Sequence, residues 1–152
     1  MDKEFLLRAI EKANESVANG GFPAGAIIVK NDQIIGEGIS IGNKLDDPTA
    51  HGESVAIRNA CQNLSTTDLS GATLYASMQP CVMCLGAAMW SNISKIVFAC
   101  PMNKVDESYY GGHYDLIEIN SNFTHPIEIV HLDSLENDSL AVVRNWEKSL
   151  NI

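Results

Sequence analysis

The chain has 152 residues, 45% hydrophobic and 19% charged, with 11 Gly and 5 Pro, a composition that excludes a disordered tail or a fibre and fits one folded domain over residues 1–152. A domain of this size buries roughly two thirds of the surface its unfolded chain exposes, so it needs no disulfide to fold. Ten Lys and Arg against nineteen Asp and Glu give a formal charge of -9, which repels polyphosphates and makes nucleic acid a disfavoured partner.

The first segment, MDKEFLLRAIEKANESVANG, carries Phe5, Leu6, Ala9, Ile10, Ala13 and Val17 at helical spacing. This predicts a surface helix ending near Gly20-Gly21 rather than the unbroken apolar core of a signal peptide. Ala24 to Lys30 and Gln33 to Ile39 are β-rich runs around Asn31-Asp32, the mark of a tight hairpin. Residues 40 to 48 are polar and turn-rich. A helix follows, with His51 and Glu53 in its first turn and Val55, Ala56, Ala60, Cys61 and Leu64 on one stripe. Thr73 to Ser77 reads as a strand, Pro80 opens a helix from Cys81 to Trp90, and Lys95 to Ala99 reads as a further strand.

Residues 101 to 126 show no clear period. Ile127 to His131 is a last strand and Ser139 to Leu150 a last helix, with Leu140, Val143 and Trp146 on one face. Strand, helix, strand, helix, strand in the middle implies parallel pairing and an α/β layered domain. No apolar run approaches the ~20 residues that cross a bilayer. A soluble, cytoplasmic protein with no membrane partner is therefore expected, and the four cysteines, at 61, 81, 84 and 100, are expected to be reduced thiols.

His51-Gly52-Glu53 and Pro80-Cys81-Val82-Met83-Cys84 bring one imidazole, one carboxylate and two thiols to the starts of two helices. Cys81 and Cys84, three apart, share a helical face, and a helix N-terminus favours the thiolate a metal needs. One His and two Cys make three zinc ligands and leave a fourth position for water, as catalytic zinc sites do, and Glu53 is placed to take that water's proton. Residues two apart on a helix point about 200° from each other, so His51 must sit at or before the first turn. A redox Cys pair, or a closed structural site completed by His113, His125 or His131, are the competing readings.

His-x-Glu followed by Pro-Cys-x-x-Cys resembles the zinc deaminase signature. The resemblance extends over roughly residues 1 to 100 through Pro23-x-Gly25-Ala26, Asp47-Pro48-Thr49-Ala50-His51, Thr73-Leu74-Tyr75 and Pro80-Cys81-x-Met83-Cys84-x-Gly86-Ala87. It implies a three-layer cytidine-deaminase-like fold, a mixed five-stranded sheet with helices on both faces. It also implies one Zn2+ per chain on His51, Cys81 and Cys84, and Glu53 as proton shuttle in hydrolytic removal of an amino group from a nucleobase. Asp-Pro-Thr-Ala-His is shared by bacterial guanine deaminases and tRNA adenosine deaminases, Leu85-Gly86-Ala87 with Trp90 resembles the guanine type, and Gly52 resembles fungal-type cytosine deaminases. Guanine is the first expectation, with tRNA adenosine and cytosine or other amino-heterocycles as alternatives; the acidic charge favours a free base. A non-catalytic zinc domain is the remaining reading.

The sequence departs from the family at three places. Ser40 stands where an Asn commonly reads the base, Gln79 where a Glu precedes Pro-Cys, and only Asp106 and Asp115 approximate an acidic base contact. The substrate-contacting candidates are thus Ser40, Ala50, Trp90, Tyr110, His113 and Asp115. Tyr109, Tyr110, His113 and Tyr114 around Gly111-Gly112 look like a closing loop, and Trp146 lies on a helix that in this family covers an active site, its own or a partner's. Family members pair, so a homodimer is expected.

Overall fold

A computed structural model describes residues 1–151. Its helices are α1 (Asp2–Ala18), α2 (Gly42–Leu45), α3 (Gly52–Leu64), α4 (Val82–Trp90), α5 (Leu116–Ser121) and α6 (Glu136–Ser149), and its strands β1 (Phe22–Lys30), β2 (Gln33–Ser40), β3 (Thr73–Met78), β4 (Lys95–Cys100) and β5 (Glu128–His131). They form a mixed five-stranded sheet in the order β2-β1-β3-β4-β5. The aperiodic stretch 101–126 holds α5 and two short 3-10 turns, Met102–Lys104 and Glu107–Tyr110. None of these is long enough to display a period. The last helix starts three residues earlier than its apolar stripe suggests, because its first turn is built from polar Glu136, Asn137 and Asp138.

Alternation along the strands explains the layers. Ala26, Ile28, Leu74 and Ile96 face α3, α4 and α5 through Ala56, Ile57, Ala60, Leu85, Ala88 and Leu116. Ile27, Val29, Tyr75 and Val97 face α1 and α6 through Leu6, Ala9, Ile10, Ala13 and Val142. Because both faces are covered, these strands are continuous apolar runs rather than alternating ones.

The hairpin turn places Asn31 at φ 52° and Asp32 at φ 60°, the two positive values of a turn that matches strand twist. β1 pairs antiparallel with both β2 and β3, while β3, β4 and β5 are parallel. Parallel pairing thus holds only in the second half of the sheet. The α3 crossover does connect two strands of the same direction, β2 and β3, but the hairpin inserts β1 between them. Consequently the carboxyl ends of β2 and β3 and the beginning of β1 lie along one edge, with Phe22 opposite Ser40.

α3 lies hard against that edge. A Cβ on Gly38 would stand 2.1 Å from Gly52 O and 2.6 Å from Ala56 N, distances that no side chain fits. Gly38 therefore lets the first turn of α3 rest on β2 and fixes where His51 and Glu53 stand. Among the described residues, no helix is long and apolar enough to cross a membrane.

Candidate active site

His51 is the residue before α3, with extended φ -83° and ψ 160°, and its N–H donates to Ser54 Oγ at 3.0 Å. Leaving the helical conformation removes the conflict between His51 and Glu53, since only Glu53 follows the helical direction. The second element repeats the device. Helix α4 begins at Val82 rather than Cys81, and Cys81 has φ -71° and ψ 175°, so Cys81 approaches from outside the helix while buried Cys84 approaches from its first turn.

His51 Nδ1 stands 3.5 Å from Cys81 Sγ and 3.6 Å from Cys84 Sγ, and all three ligand atoms lie within 4.8 Å of one another. Zinc–nitrogen and zinc–sulfur bonds of ~2.0–2.1 and ~2.3 Å at a tetrahedral angle separate N from S by about 3.6 Å. The donor set fits the ion. Among the described residues no fourth His, Cys, Asp or Glu joins this group. His113 is exposed, His125 lines a separate surface groove and His131 Nε2 faces Ala99 O and Glu136. A closed site completed by one of these histidines is overturned.

The site's protons follow from its burial and charge. The hydrogen bond from Cys84 holds the Cys81 thiol down to about 4, helped by His51 and opposed by burial. Cys84 moves the other way, because it donates that proton and is buried. His51 is raised, chiefly by its bond to Cys81. Desolvation pushes the Glu53 carboxyl up to about 7, the Cys81 thiolate adding to this and His51 opposing it. Without an ion the two sulfurs share one proton; a bound dication takes its place and makes both thiolates.

A cavity of about 560 Å³ opens over His51, Glu53 and Cys81. Ser40, Ala50 and Tyr110 line it, with Ala24, Met78 and Gln79. The Ser40 hydroxyl accepts from Gly52 N at 2.9 Å, so this shorter side chain also holds the start of α3. Three expectations are corrected. Trp90, six positions beyond Cys84, is ~120° around the helix and ~9 Å along it; it is 80% exposed and lines the other groove. His113 does not line the cavity. Asp115 is exposed and caps α5, accepting from Glu118 N at 3.0 Å, just as Asp106 accepts from Ser108 N at 2.9 Å.

The aromatic wall comes instead from Phe22, Tyr109 and Trp146, whose ring centroids lie 5.2 to 5.9 Å apart at steep angles. Trp146 places the C-terminal helix over its own chain's cavity. Its helical stripe could equally have been core, and nothing in the spacing marks it as a pocket residue.

Residues 1–100 match the cytidine and deoxycytidylate deaminase zinc-binding region. The chain belongs to this family. Its cofactor is zinc, one ion for the one His–Cys–Cys group among the described residues. The tRNA-specific adenosine deaminase of Aquifex aeolicus is 42% identical over 100 residues, 65% of this chain and 66% of that protein. The guanine deaminase of Bacillus subtilis is 40% identical over 117 residues, 76% of this chain and 75% of its own length. The match thus spans about two thirds of the Aquifex relative. The solved structure of the Bacillus subtilis guanine deaminase has a TM-score of 0.67 at 35% identity, covering 94% of this chain and 93% of its own. A structure from studies of tRNA:A34 deaminases has a TM-score of 0.80 at 25% identity, covering 92% of this chain and 99% of its own.

Metal removal gives a direct check on the thiol pair. In the zinc-free protein, pH 6 lies above the lowered value of the Cys81 thiol, which favours its thiolate, whereas burial raises Cys61. Iodoacetamide with peptide mapping should alkylate Cys81 at least tenfold faster than Cys61, and zinc should abolish the difference. Equal rates without zinc would contradict this electrostatic account.

Proposed function

We propose that this protein hydrolytically removes the amino group of a small aminated nucleobase, guanine first among them, and releases ammonia. The observation that carries this reading is the cavity itself. It lies over the metal ligands and the buried Glu53 carboxyl, and among the described residues its wall includes Asp47 but no Lys or Arg. A tRNA-acting enzyme gains most of its affinity by neutralising phosphates. On a chain of charge -9, the cation beside this mouth is Lys44, which packs over the rim residue Gly20, a single charge rather than a phosphate-binding groove, and Trp146 and Leu150 line the opening as well.

When bound, zinc supplies a nucleophile at neutral pH by lowering the pKa of water from 15.7 toward ~7. With zinc held by His51, Cys81 and Cys84, Glu53, the carboxylate inside the cavity, would take a proton from the attacking water and deliver it to the ring nitrogen beside the aminated carbon as a C–O bond forms there. Glu53 would then take the remaining proton of the added hydroxyl and pass it to the departing amine, so that the C–N bond breaks, the C–O bond becomes a carbonyl, and ammonia leaves. Ala24, Ala50 and Met78 give the planar ring an apolar berth, with Phe22, Tyr109 and Trp146 as the aromatic wall. Ser40, Ala50 and Tyr110 are the candidate base contacts.

A cytoplasmic setting, where four free thiols stay reduced, belongs to the same reading. So does a homodimer covering the exposed side of α4, an uncharged helix that leaves Val82 45% and Trp90 80% exposed.

Ammonia release from the zinc-loaded protein, screened over guanine, cytosine, adenine and isocytosine, should be fastest with guanine, and Glu53→Gln should lower it by about 10²–10⁴-fold. Silence on every free base, with inosine formed in tRNA, would contradict the proposal. In sedimentation the parent should run as a dimer and Trp90→Glu as a monomer; a monomeric parent would exclude the pairing.

A further inference from the structure

We propose that Tyr110 and Tyr114 are positioning residues that hold the Cys81 ligand through the backbone on both sides of it. This rests on the reading of Cys81 as a zinc ligand. Cys81 lies between a strand end and a helix start, held on the helix side by its carbonyl, which accepts from Leu85 N at 2.8 Å, while its own flanking peptide groups need partners outside the helix. Pro80 has no N–H to give, and the first N–H groups of α4 have no partner within the helix. A loop so placed is free to move its side chain unless something else ties it.

Two phenol groups do so. Tyr110 Oη donates to Gln79 O at 2.7 Å, two residues before Cys81. Val82 N, immediately after Cys81, donates to Tyr114 Oη at 3.3 Å. The two tyrosines are joined, since Tyr114 Oη donates onward to Tyr110 O at 2.7 Å. The result is a closed loop of hydrogen bonds from Gln79 through Tyr110 and Tyr114 to Val82, with Cys81 in the enclosed segment.

The anchor is firm at its base. Gln79 N donates to Cys100 O at 2.8 Å, and Gln79 Oε1 accepts from Met102 N at 2.9 Å, so the segment is tied to the end of β4 as well. Tyr110 is buried, 8% exposed, and its hydroxyl is committed to this bond. Its remaining contribution to the cavity is therefore its ring. Within the segment 107–114, Tyr110 and Tyr114 thus tie down the backbone beside Cys81, while Ser108 and Tyr109 line the cavity.

The hydroxyls thus hold the backbone on either side of a ligand; a partner on the ligand itself is typically worth about 10–100-fold in metal affinity, and the lower end of that range is expected here. Cobalt(II) titration of the metal-free protein tests this, with affinity from competition by a chelator and geometry from the sulfur-to-cobalt and ligand-field bands. Tyr114→Phe and Tyr110→Phe should each bind cobalt and zinc at least tenfold more weakly than the parent, with shifted bands. Tyr75→Phe is the control, because it deletes another inward hydroxyl, one bonded to Asp2 at 2.6 Å away from the metal. It should leave affinity and spectrum unchanged.

Both tyrosine variants matching the parent within twofold, with unshifted bands, would overturn the proposal; so would an equal loss in Tyr75→Phe. If one tyrosine variant fails to fold, the other decides. Cys81→Ser is measured alongside: if it kept the parent's zinc affinity, the ligand assignment itself would fall. A loss in Cys81→Ser with none in the tyrosine variants would sink only the positioning role.

Discussion

Everything at this site depends on two helices that begin one residue late. His51 and Cys81 each stand just before a helix in extended conformation, while Glu53 and Cys84 stand inside the first turns. If either helix began one residue earlier, its ligand would be turned away by the helical repeat. At the start of α4 the Cys84 backbone N–H bonds the Cys81 sulfur and helps hold it as a thiolate. Position and charge thus have one cause.

The sheet makes this meeting possible. The hairpin puts β1 between β2 and β3, which point the same way, and the helices that follow those two strands start from the same edge. Gly38 removes the bulk that would hold α3 off. The edge then carries Ser40 at the end of β2, Met78 at the end of β3 and Phe22 and Ala24 at the beginning of β1, all of which line the cavity. The strand ends give the cavity an apolar base of Phe22, Ala24 and Met78 that continues the core, and the two helix starts bring His51, Glu53 and Cys81 to it.

Most of this was legible in the sequence, for identifiable reasons. His51, Glu53, Cys81 and Cys84 declare themselves because metal chemistry permits few residue types and their spacing fixes their faces. Helices α1 and α3 declare themselves by period, α4 by Pro80 at its start, and the buried strands by continuous apolar runs between turns. Trp90 enters the expectation through the resemblance to the guanine type, whereas the helical repeat turns it away from Cys84 and into solvent. Asp115 and Asp106, only approximate candidates for an acidic base contact, both satisfy backbone N–H groups at nearby turns. The resemblance puts Trp146 on a helix that covers an active site, but whether that site is its own depends on α6 packing from more than 60 residues beyond the ligands, which spacing does not show. The role of Tyr110 and Tyr114 was hidden for a related reason: their partners are backbone atoms, which leave no mark in a sequence.

The central claim is an open zinc site with three protein ligands. X-ray absorption at the zinc edge of the purified protein measures it most directly. The account predicts one zinc per chain with two sulfur neighbours at ~2.3 Å and two nitrogen or oxygen neighbours at ~2.0–2.1 Å, only one of them an imidazole. A shell of four protein ligands, or a folded protein that takes up no zinc, would contradict it.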